Sequence, residues 1–312
     1  MESEILKQVI HQFSKREENI SFDSLLEKTR TMGLFSMSLS EFGISDFCLV
    51  LRELSAFHSG IAVALWSHVM AAELLLAAGQ KTDPNELIAY SSFSAPEESS
   101  RSHSTGIVES VVLVGQAKKV VFASENQYFS APIESLSSPI ATLGIRNCPI
   151  FDLTLNPSRI TPLRGNFKNI EYQMSLAAAA ISLGLSKASA DEALRYSKSR
   201  KQGGKEIFHW SEIKMLLAKI FTRVQTGELA LERACQWAEL QKTGWEAHAL
   251  SVALFIQEEA CEITSDGIQV LGGAGYTTEF RQEERFRDAF HLQHLSGLLP
   301  ARKLQLVRLL ET

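Results

Sequence analysis

The C-terminal part of the chain, from about Asn169 onward, consists of long segments whose apolar residues recur at helical spacing. The first of them, Met174–Leu194, is rich in alanine and includes Gly184. Such small side chains allow helix axes to approach closely, because the distance between packed helices depends on the residues at their contact. Similar segments follow with short connections, over Glu212–Gln241, Trp245–Gly267 and Leu292–Leu310. Four long helices joined in this way predict an antiparallel bundle.

Two other patterns precede the predicted bundle. From about Glu2 to Gln80 the apolar spacing is helical. Val108–Phe122, in contrast, is rich in β-branched residues with Gly115 as a turn signal, and Phe151–Leu155 alternates as a half-buried strand does. The predicted fold class is therefore α+β but mainly α. Its predicted domains are an N-terminal helical domain (residues 1–86), a small β domain (87–160) and a C-terminal helical bundle (161–312).

Composition and charge exclude some functions. The 312 residues carry a net charge of −5, which gives no electrostatic reason to bind nucleic acid, although a few local arginines can still bind a phosphate. The four cysteines include no CxxC pair, so no disulfide framework and no metal site are predicted. The most apolar run, around Leu74–Ala78, is too short for a membrane span, and Met1–Ile20 lacks the pattern of a signal peptide. We expect a cytoplasmic protein.

The most specific local pattern is a glycine-rich run, Gln269–Tyr276, followed by Glu283 and by Arg287–Ala289. Adjacent glycines allow positive φ angles and a close approach of the backbone to a ligand. The run does not match the GxGxxG pattern of dinucleotide-binding folds, and the residues before it look helical. On this evidence alone, a glycine pair at a helix end is more often a helix cap than a ligand site.

Several segments together resemble the acyl-CoA dehydrogenase family. The run Q-x-x-G-G-x-G-Y with a downstream R-D-A is similar to the C-terminal signature of that family. Tyr196–Lys205 resembles its Y-x-x-x-R-x-x-F-G-K segment, and Leu143–Arg146 resembles its L-G-x-R segment. Phe42-Gly43, Arg52–Leu54 and the Ala62–His68 helix resemble its N-terminal domain. The resemblance covers nearly the whole chain and implies a helical domain, a small β domain and a four-helix bundle.

The resemblance implies FAD as the cofactor, with its adenine end reaching a neighbouring subunit. Gln269, Gly272 and Gly273 would then approach the FAD of the adjacent chain. Arg200 would grip phosphate oxygens, although from its position alone it also reads as a solvated cation at a helix end. The family's threonine-containing flavin loop survives only as Ser94 and its neighbours.

The catalytic glutamate of the family is missing at its usual position. The expected Y-E-G-T segment reads Leu295–Leu298, which puts Ser296 where the base belongs. A serine hydroxyl is far too weak a base at neutral pH to replace a carboxylate. Some members carry the base on an earlier helix, where Glu171 is the nearest acid here. The alternative for Glu171 is an exposed acid in a first helical turn, favoured by the helix dipole.

These losses favour a chain that completes the FAD site of a partner. The segments that a subunit uses for its own flavin ring are mostly gone: the tryptophan strand, for instance, reads Val111–Leu113. The residues that reach a neighbour's cofactor are partly kept, although Gly203 replaces the phenylalanine beside the arginine. The family includes heterotetramers of active and degenerate subunits, notably for CoA thioesters of steroid side chains. We therefore expect a non-catalytic subunit whose partner is a catalytically complete homologue acting on an acyl-CoA.

Two rival functions remain open at this stage. The first is an active dehydrogenase that uses Glu171 as a displaced base. The second is a flavin-free structural or acyl-CoA-binding protein.

Two further patterns are weaker. His291 and His294 are spaced to face one metal ion, but ordinary surface histidines explain them better because no third ligand is near. A nucleophilic pairing of His294 with Ser296 is disfavoured, because residues two apart on a helix point away from each other. The tryptophans are predicted to be packing residues: Trp66, Trp210, Trp237 and Trp245.

Overall fold

The computed structural model describes residues 21–83, 86–91, 107–113, 115–124 and 127–311. Its first three helices are α1 (Phe22–Thr31), α2 (Leu39–Phe57) and α3 (Ser59–Ala77). Helix α1 begins where the Ser21 hydroxyl accepts a hydrogen bond from the Ser24 N–H, as serine caps commonly do. The helical pattern predicted for about Glu2–Gln80 is thus reproduced from residue 21 onward, and its first part lies outside the described residues.

Helix α3 extends well beyond Leu74–Ala78, the run that was judged too short for a membrane span. It has the length and mean hydropathy, 1.7, of a membrane span, but 78% of that window is buried inside the protein. His68 lies within it and is also buried, with its ring nitrogens bonded to the Phe35 carbonyl and the Ile88 N–H. These contacts are those of a core helix that protein surrounds along most of its length.

The strands form two small sheets. The first has the order β1 (Ile88–Ser91), β3 (Lys119–Ser124), β4 (Gln127–Pro132) and β6 (Thr161–Pro162), parallel between β1 and β3 and antiparallel elsewhere. The second pairs β2 (Ile107–Val112) with β5 (Ile150–Thr154), antiparallel. The β-rich stretch on either side of Gly115 therefore does not form one hairpin, since its two strands belong to different sheets.

The C-terminal part is built from five helices and a short hairpin. The helices are α4 (Lys168–Ser199), α5 (Ser211–Glu239), α6 (Trp245–Leu271), α7 (Gln282–Leu292) and α8 (Leu299–Leu310). Strands β7 (Lys201–Gln202) and β8 (Lys205–Glu206) form the hairpin after α4. Three of the long helices predicted from the sequence are present.

The fourth predicted helix, Leu292–Leu310, is wrong as a single element. Helix α7 ends at Leu292, and a turn closed by the Gly297 N–H on the His294 carbonyl, 3.1 Å away, separates it from α8. Gly297 has a φ of +112°, which helical residues cannot adopt.

The small residues of α4 do allow a close helix contact. A Cβ atom on Gly184 would collide with the backbone carbonyl of Arg52 in α2. In the same contact, the Ser55 hydroxyl donates a 2.8 Å hydrogen bond to the Ile181 carbonyl. Glycine at this position is therefore required by the packing of α2 on α4.

The overall class is α+β and mainly α, as the sequence predicted. Buried apolar residues of the N-terminal helices, the strands and the bundle belong to one continuous core. The domain boundaries at residues 86/87 and 160/161 remain predictions, because this shared core gives no separate measure of them.

Candidate functional site

A cleft of about 700 Å³ lies at the C-terminal ends of α4 and α6. The hairpin and the start of α5 complete its walls. It brings together four residues that the sequence singled out 69 to 73 positions apart, Arg200 on one side and Gln269, Gly272 and Gly273 on the other. No element of local sequence predicts this proximity, which results from the packing of α6 beside α4.

The glycine pair serves both as a cap and as an open surface. Gly272 ends α6 with a φ of +60°, and its N–H donates to the carbonyls of Ile268 and Gln269. A Cβ atom on Gly272 or Gly273 would meet no atom within 4 Å. The helix-cap interpretation is therefore correct, while the exposed backbone also leaves room for a ligand.

Arg200 stands at the end of α4 with its guanidinium in solvent. Its backbone N–H donates to the Tyr196 carbonyl at 2.9 Å, and its carbonyl accepts from the Ile207 N–H at 2.8 Å. No ion pair involves its side chain within the described part of the chain. An arginine whose backbone is fixed and whose guanidinium faces solvent can bind an anionic group that enters the cleft.

Trp210 is a cleft residue that the sequence prediction missed. Its side chain is 40% exposed, whereas Trp66 and Trp245 are 2% and 3% exposed and pack in the core as predicted. The Lys205 ammonium lies 3.9 Å from the Trp210 ring centroid. A Cβ on Gly203 would come within 3.1 Å of the same ring. Gly203 thus makes room for an aromatic surface beside the arginine.

The sequence did contain a signal for Trp210. It directly precedes the first residue of α5 and comes after the basic hairpin Lys201–Lys205. A large aromatic residue in such a polar connection has little core to pack into.

Glu171 lies elsewhere, at the opposite end of α4, and it is not the exposed acid of the alternative prediction. It is half-buried and lines a second cavity of about 470 Å³ against the four-stranded sheet. The Tyr128 hydroxyl donates a 2.8 Å hydrogen bond to its carboxylate. Burial raises the pKa of Glu171, and the bond from Tyr128 lowers it by a smaller amount. A carboxylate of this kind is a better proton acceptor than an exposed one.

Ser296 lies in the turn between α7 and α8 and not on a helix. Its hydroxyl is buried and has no hydrogen-bond partner among the residues described. His294 lies in the same turn, and its N–H donates a 3.1 Å hydrogen bond to the carbonyl of His291 near the end of α7. The described residues contain no group of three or more His, Cys, Asp or Glu side chains suited to a metal ion.

Two flavin-related segments give less information. Ser94 lies outside the described residues. Val111–Leu113 form the buried end of β2 and the first residue after it, with Leu113 in the left-handed region at a φ of +66°. No polar side chain of this segment is available to a ligand.

Solved structures define the class of protein through the fold. Butyryl-CoA dehydrogenase from Megasphaera elsdenii superposes with a TM-score of 0.84, covering 100% of this chain and 98% of that chain at 16% identity. A structure described as PigA with FAD and proline gives a TM-score of 0.78, with 99% and 97% coverage at 16% identity. At such identities the likeness establishes the fold, which is that of the acyl-CoA dehydrogenases.

Sequence comparison identifies the family. Residues 172–298 match the family model described as acyl-CoA dehydrogenase, C-terminal domain. The probable acyl-CoA dehydrogenase FadE25 of Mycobacterium tuberculosis is 30% identical over 50% of this chain and 42% of its own. Subunit CarC of the caffeyl-CoA reductase-Etf complex of Acetobacterium woodii is 28% identical over 47% of this chain and 41% of its own. Residues 172–298 thus belong to the acyl-CoA dehydrogenase family, and the chain spans less than half the length of these two relatives.

Proposed function

We propose that this chain is a non-catalytic subunit that completes the FAD site of a catalytically active homologue. The observation that carries the proposal is the cleft, where Arg200, Gln269 and the open glycine backbone at Gly272 and Gly273 meet. The residue at the usual place of the catalytic base, Ser296, cannot act as one. A chain that has a cofactor cleft but lacks the catalytic base can support a reaction that it does not perform itself.

The chemistry of the cleft suits the adenosine diphosphate end of FAD. The Arg200 guanidinium has the charge and the fork geometry to bind phosphate oxygens. Adjacent glycines allow the backbone to lie against a diphosphate. The Trp210 ring, 40% exposed, offers a face on which an adenine can stack. Together these groups can contact both the charged diphosphate and the aromatic adenine of the ligand in place of water.

The residues near the usual flavin-ring position are a poorer fit. Leu298, at the threonine position of the family's Y-E-G-T segment, is 45% exposed and apolar, so its side chain offers no hydrogen bond to a flavin. Ser296 offers a hydroxyl and no carboxylate. FAD bound through its ring by this chain alone would therefore lack the polar contacts that orient it, so we assign most of the cofactor contacts to the partner.

The comparisons support an assembled role without identifying the partner. One relative is by its name a subunit of a larger complex, and another is by its name a probable acyl-CoA dehydrogenase. We accordingly propose that the complex removes two hydrogens from an acyl-CoA thioester in the cytoplasm. In it, the partner supplies the base and this chain supplies part of the cofactor site.

Co-expression with a catalytically complete homologue, preferably one encoded beside this chain, tests the proposal. We expect a mixed complex with one FAD for each pair of chains and no flavin absorbance when this chain is purified alone. Arg200→Met in this chain should release FAD from the complex, while Lys201→Met, the neighbouring exposed cation outside the cleft, should not. A yellow assembly of this chain alone that is bleached by an acyl-CoA would overturn the proposal.

A second candidate function rests on Glu171. Its half-buried carboxylate, raised pKa and adjoining cavity are features expected of a displaced base. Glu171→Gln should lower the turnover rate by at least about 10²-fold if this carboxylate abstracts the proton, since general bases contribute at least that much. If the complex of the first proposal keeps its full activity with Glu171→Gln, this chain supplies no base. A colourless chain that binds acyl-CoA and no partner would favour the flavin-free function.

A further inference from the structure

Three hydrogen-bond donors at the start of α8 are buried without partners. Arg302 is only 4% exposed, and its Nη1 donates a 2.6 Å hydrogen bond to the Gln257 side-chain oxygen. Its Nε and Nη2 have no partner among the residues described, and neither has the hydroxyl of Ser296. Buried polar groups are nearly always paired, so these unpaired donors, two of them on one side chain, indicate a missing partner.

The two open nitrogens of Arg302 form one edge of its guanidinium. Nε and Nη2 point their N–H bonds in nearly the same direction, which is the geometry that takes a carboxylate through two parallel hydrogen bonds. Burial lowers the pKa of Arg302 to about 10, which leaves the group charged at neutral pH. No carboxylate lies at ion-pair distance from it in the described part of the chain. Burying a cation without a counter-ion costs free energy, so an anion that reaches this edge should bind favourably.

The surrounding backbone also favours an anion. Helix α8 has 12 residues and begins after Leu298, whose side chain makes no cap hydrogen bond. Its first N–H groups, of which Pro300 at the second position supplies none, and the positive end of its dipole therefore lack a side-chain acceptor. Gly297 lies over the aliphatic part of Arg302, where a Cβ would be 3.9 Å from Cγ and Cδ. This contact places the turn that carries Ser296 against the Arg302 side chain.

We propose that Arg302, the Ser296 hydroxyl and the uncapped start of α8 form a binding site for the carboxylate of a small organic acid. A carboxylate is planar and carries one charge, and its two oxygens match the open edge of the guanidinium. The opposite edge is fixed, because Gln257 is itself fully buried and donates a 2.9 Å hydrogen bond to the Leu292 carbonyl. Ser296, at the position of the family's glutamate, thus contributes here to a site that binds an anion. The proposal does not depend on the cofactor cleft.

The test measures binding of acetate, butyrate and glutarate to the purified protein, with its partner if it requires one. The melting temperature and the heat of binding are recorded at constant ionic strength, with sodium chloride and neutral butyramide as reference solutes. We expect saturable stabilisation by at least one of the three acids and none by butyramide. Absence of a saturable response to all three acids would overturn the proposal.

Variants assign the response to the site. Arg302→Met should weaken binding about 10- to 100-fold, as expected for loss of hydrogen bonds to a charged group. It should also raise the melting temperature without ligand, because an unpaired buried charge is removed. Ser296→Ala, a milder change, should weaken binding by a smaller factor. Arg308→Met, on the exposed side of the same helix, should bind as the unmodified protein does. An unchanged affinity in both Arg302→Met and Ser296→Ala would place the acid elsewhere and refute the site.

Discussion

The carboxylate of Asp288 accepts a 2.6 Å hydrogen bond from the backbone N–H of Ile145, 143 residues earlier in the chain. It also accepts one of 2.5 Å from the Ser59 hydroxyl at the start of α3. Ile145 has a φ of +54°, which is unfavourable for a β-branched residue. Asp288 therefore holds together three distant segments and stabilises a strained one, which accounts physically for an aspartate in the R-D-A pattern.

Asp288→Asn should remove a pH dependence of stability. Burial raises the pKa of Asp288 to about 6, above its ordinary value, so the folded protein binds this proton more tightly than the unfolded chain does. The stabilisation from the protonated group is complete below about pH 4 and is lost as the pH rises through about 6. Its upper limit is roughly 3 kcal/mol. Urea unfolding between pH 4 and 7 measures it.

The asparagine variant keeps the shape of the contact, since its oxygen accepts from Ile145 and its amide donates to Ser59. We expect its free energy of unfolding to vary less across this pH range than that of the unmodified protein. Asp191→Asn, at an exposed position of α4, is the control and should leave the slope unchanged. Equal slopes in the Asp288 variant and the unmodified protein would show that Asp288 does not titrate in this range.

Gly184→Ala should destabilise the fold by several kcal/mol. The added Cβ would collide with the Arg52 backbone carbonyl and the Ser55 side chain, and neither helix can move without disturbing the core. Chemical denaturation measures the loss. Gly115→Ala is the matched control and should cost little stability, because a Cβ there meets no atom within 4 Å and its φ is not positive. If both variants unfold at the same denaturant concentration, the contact between α2 and α4 is looser than described.

Gly273→Val should separate ligand binding from folding. The position is exposed, has an ordinary φ and is surrounded by open space, so the stability of the chain should change by less than about 0.5 kcal/mol. In the mixed complex, however, the side chain would fill the cleft and lower FAD occupancy. Gly275→Ala provides the contrast: its Cβ would lie 2.8 Å from the Ile268 carbonyl, so it should destabilise the chain. A Gly273→Val complex with full FAD occupancy would argue against this cleft as a cofactor site.

Tyr128→Phe should raise the pKa of Glu171 further and cost about 1–3 kcal/mol of stability at neutral pH. The variant removes the 2.8 Å hydrogen bond that favours the ionised carboxylate, while the burial that disfavours it stays. Titration of Glu171 by carbon NMR and denaturant unfolding at pH 7 measure the two effects. Tyr276→Phe, 75% exposed, should alter neither. A Glu171 pKa that stays the same in Tyr128→Phe would show that the hydrogen bond is absent in solution.

The sequence predicts the helical elements well because their signal is local. The small residues around Gly184 and the apolar spacing of α5 and α6 are enough to find those helices. The glycine pair at Gly272 was correctly predicted as a helix end, since a φ of +60° is a property of the residue and its immediate neighbours.

The features that the sequence could not predict depend on contacts between distant segments. The sequence left Glu171 open as a displaced base or an exposed acid, and only the position of β4 beside the start of α4 brings the Tyr128 hydroxyl to it. Trp210 was assigned to the core because aromatic residues are usually buried, although the basic hairpin before it is a local signal for exposure. The apolar spacing predicts helix through Ser296, but the positive φ of Gly297, which this spacing does not reveal, ends the helix.

Helix α4 acts as a rigid spacer between the two candidate sites. Glu171 lies in its first turn and Arg200 caps its C-terminus, 29 residues later, which corresponds to roughly 44 Å at the rise of an α-helix. That span exceeds the width of a small domain, so no one bound molecule of ordinary size touches both residues of the same copy. Any catalytic unit that needs both must borrow one of them from a second chain, and its activity should then depend on protein concentration.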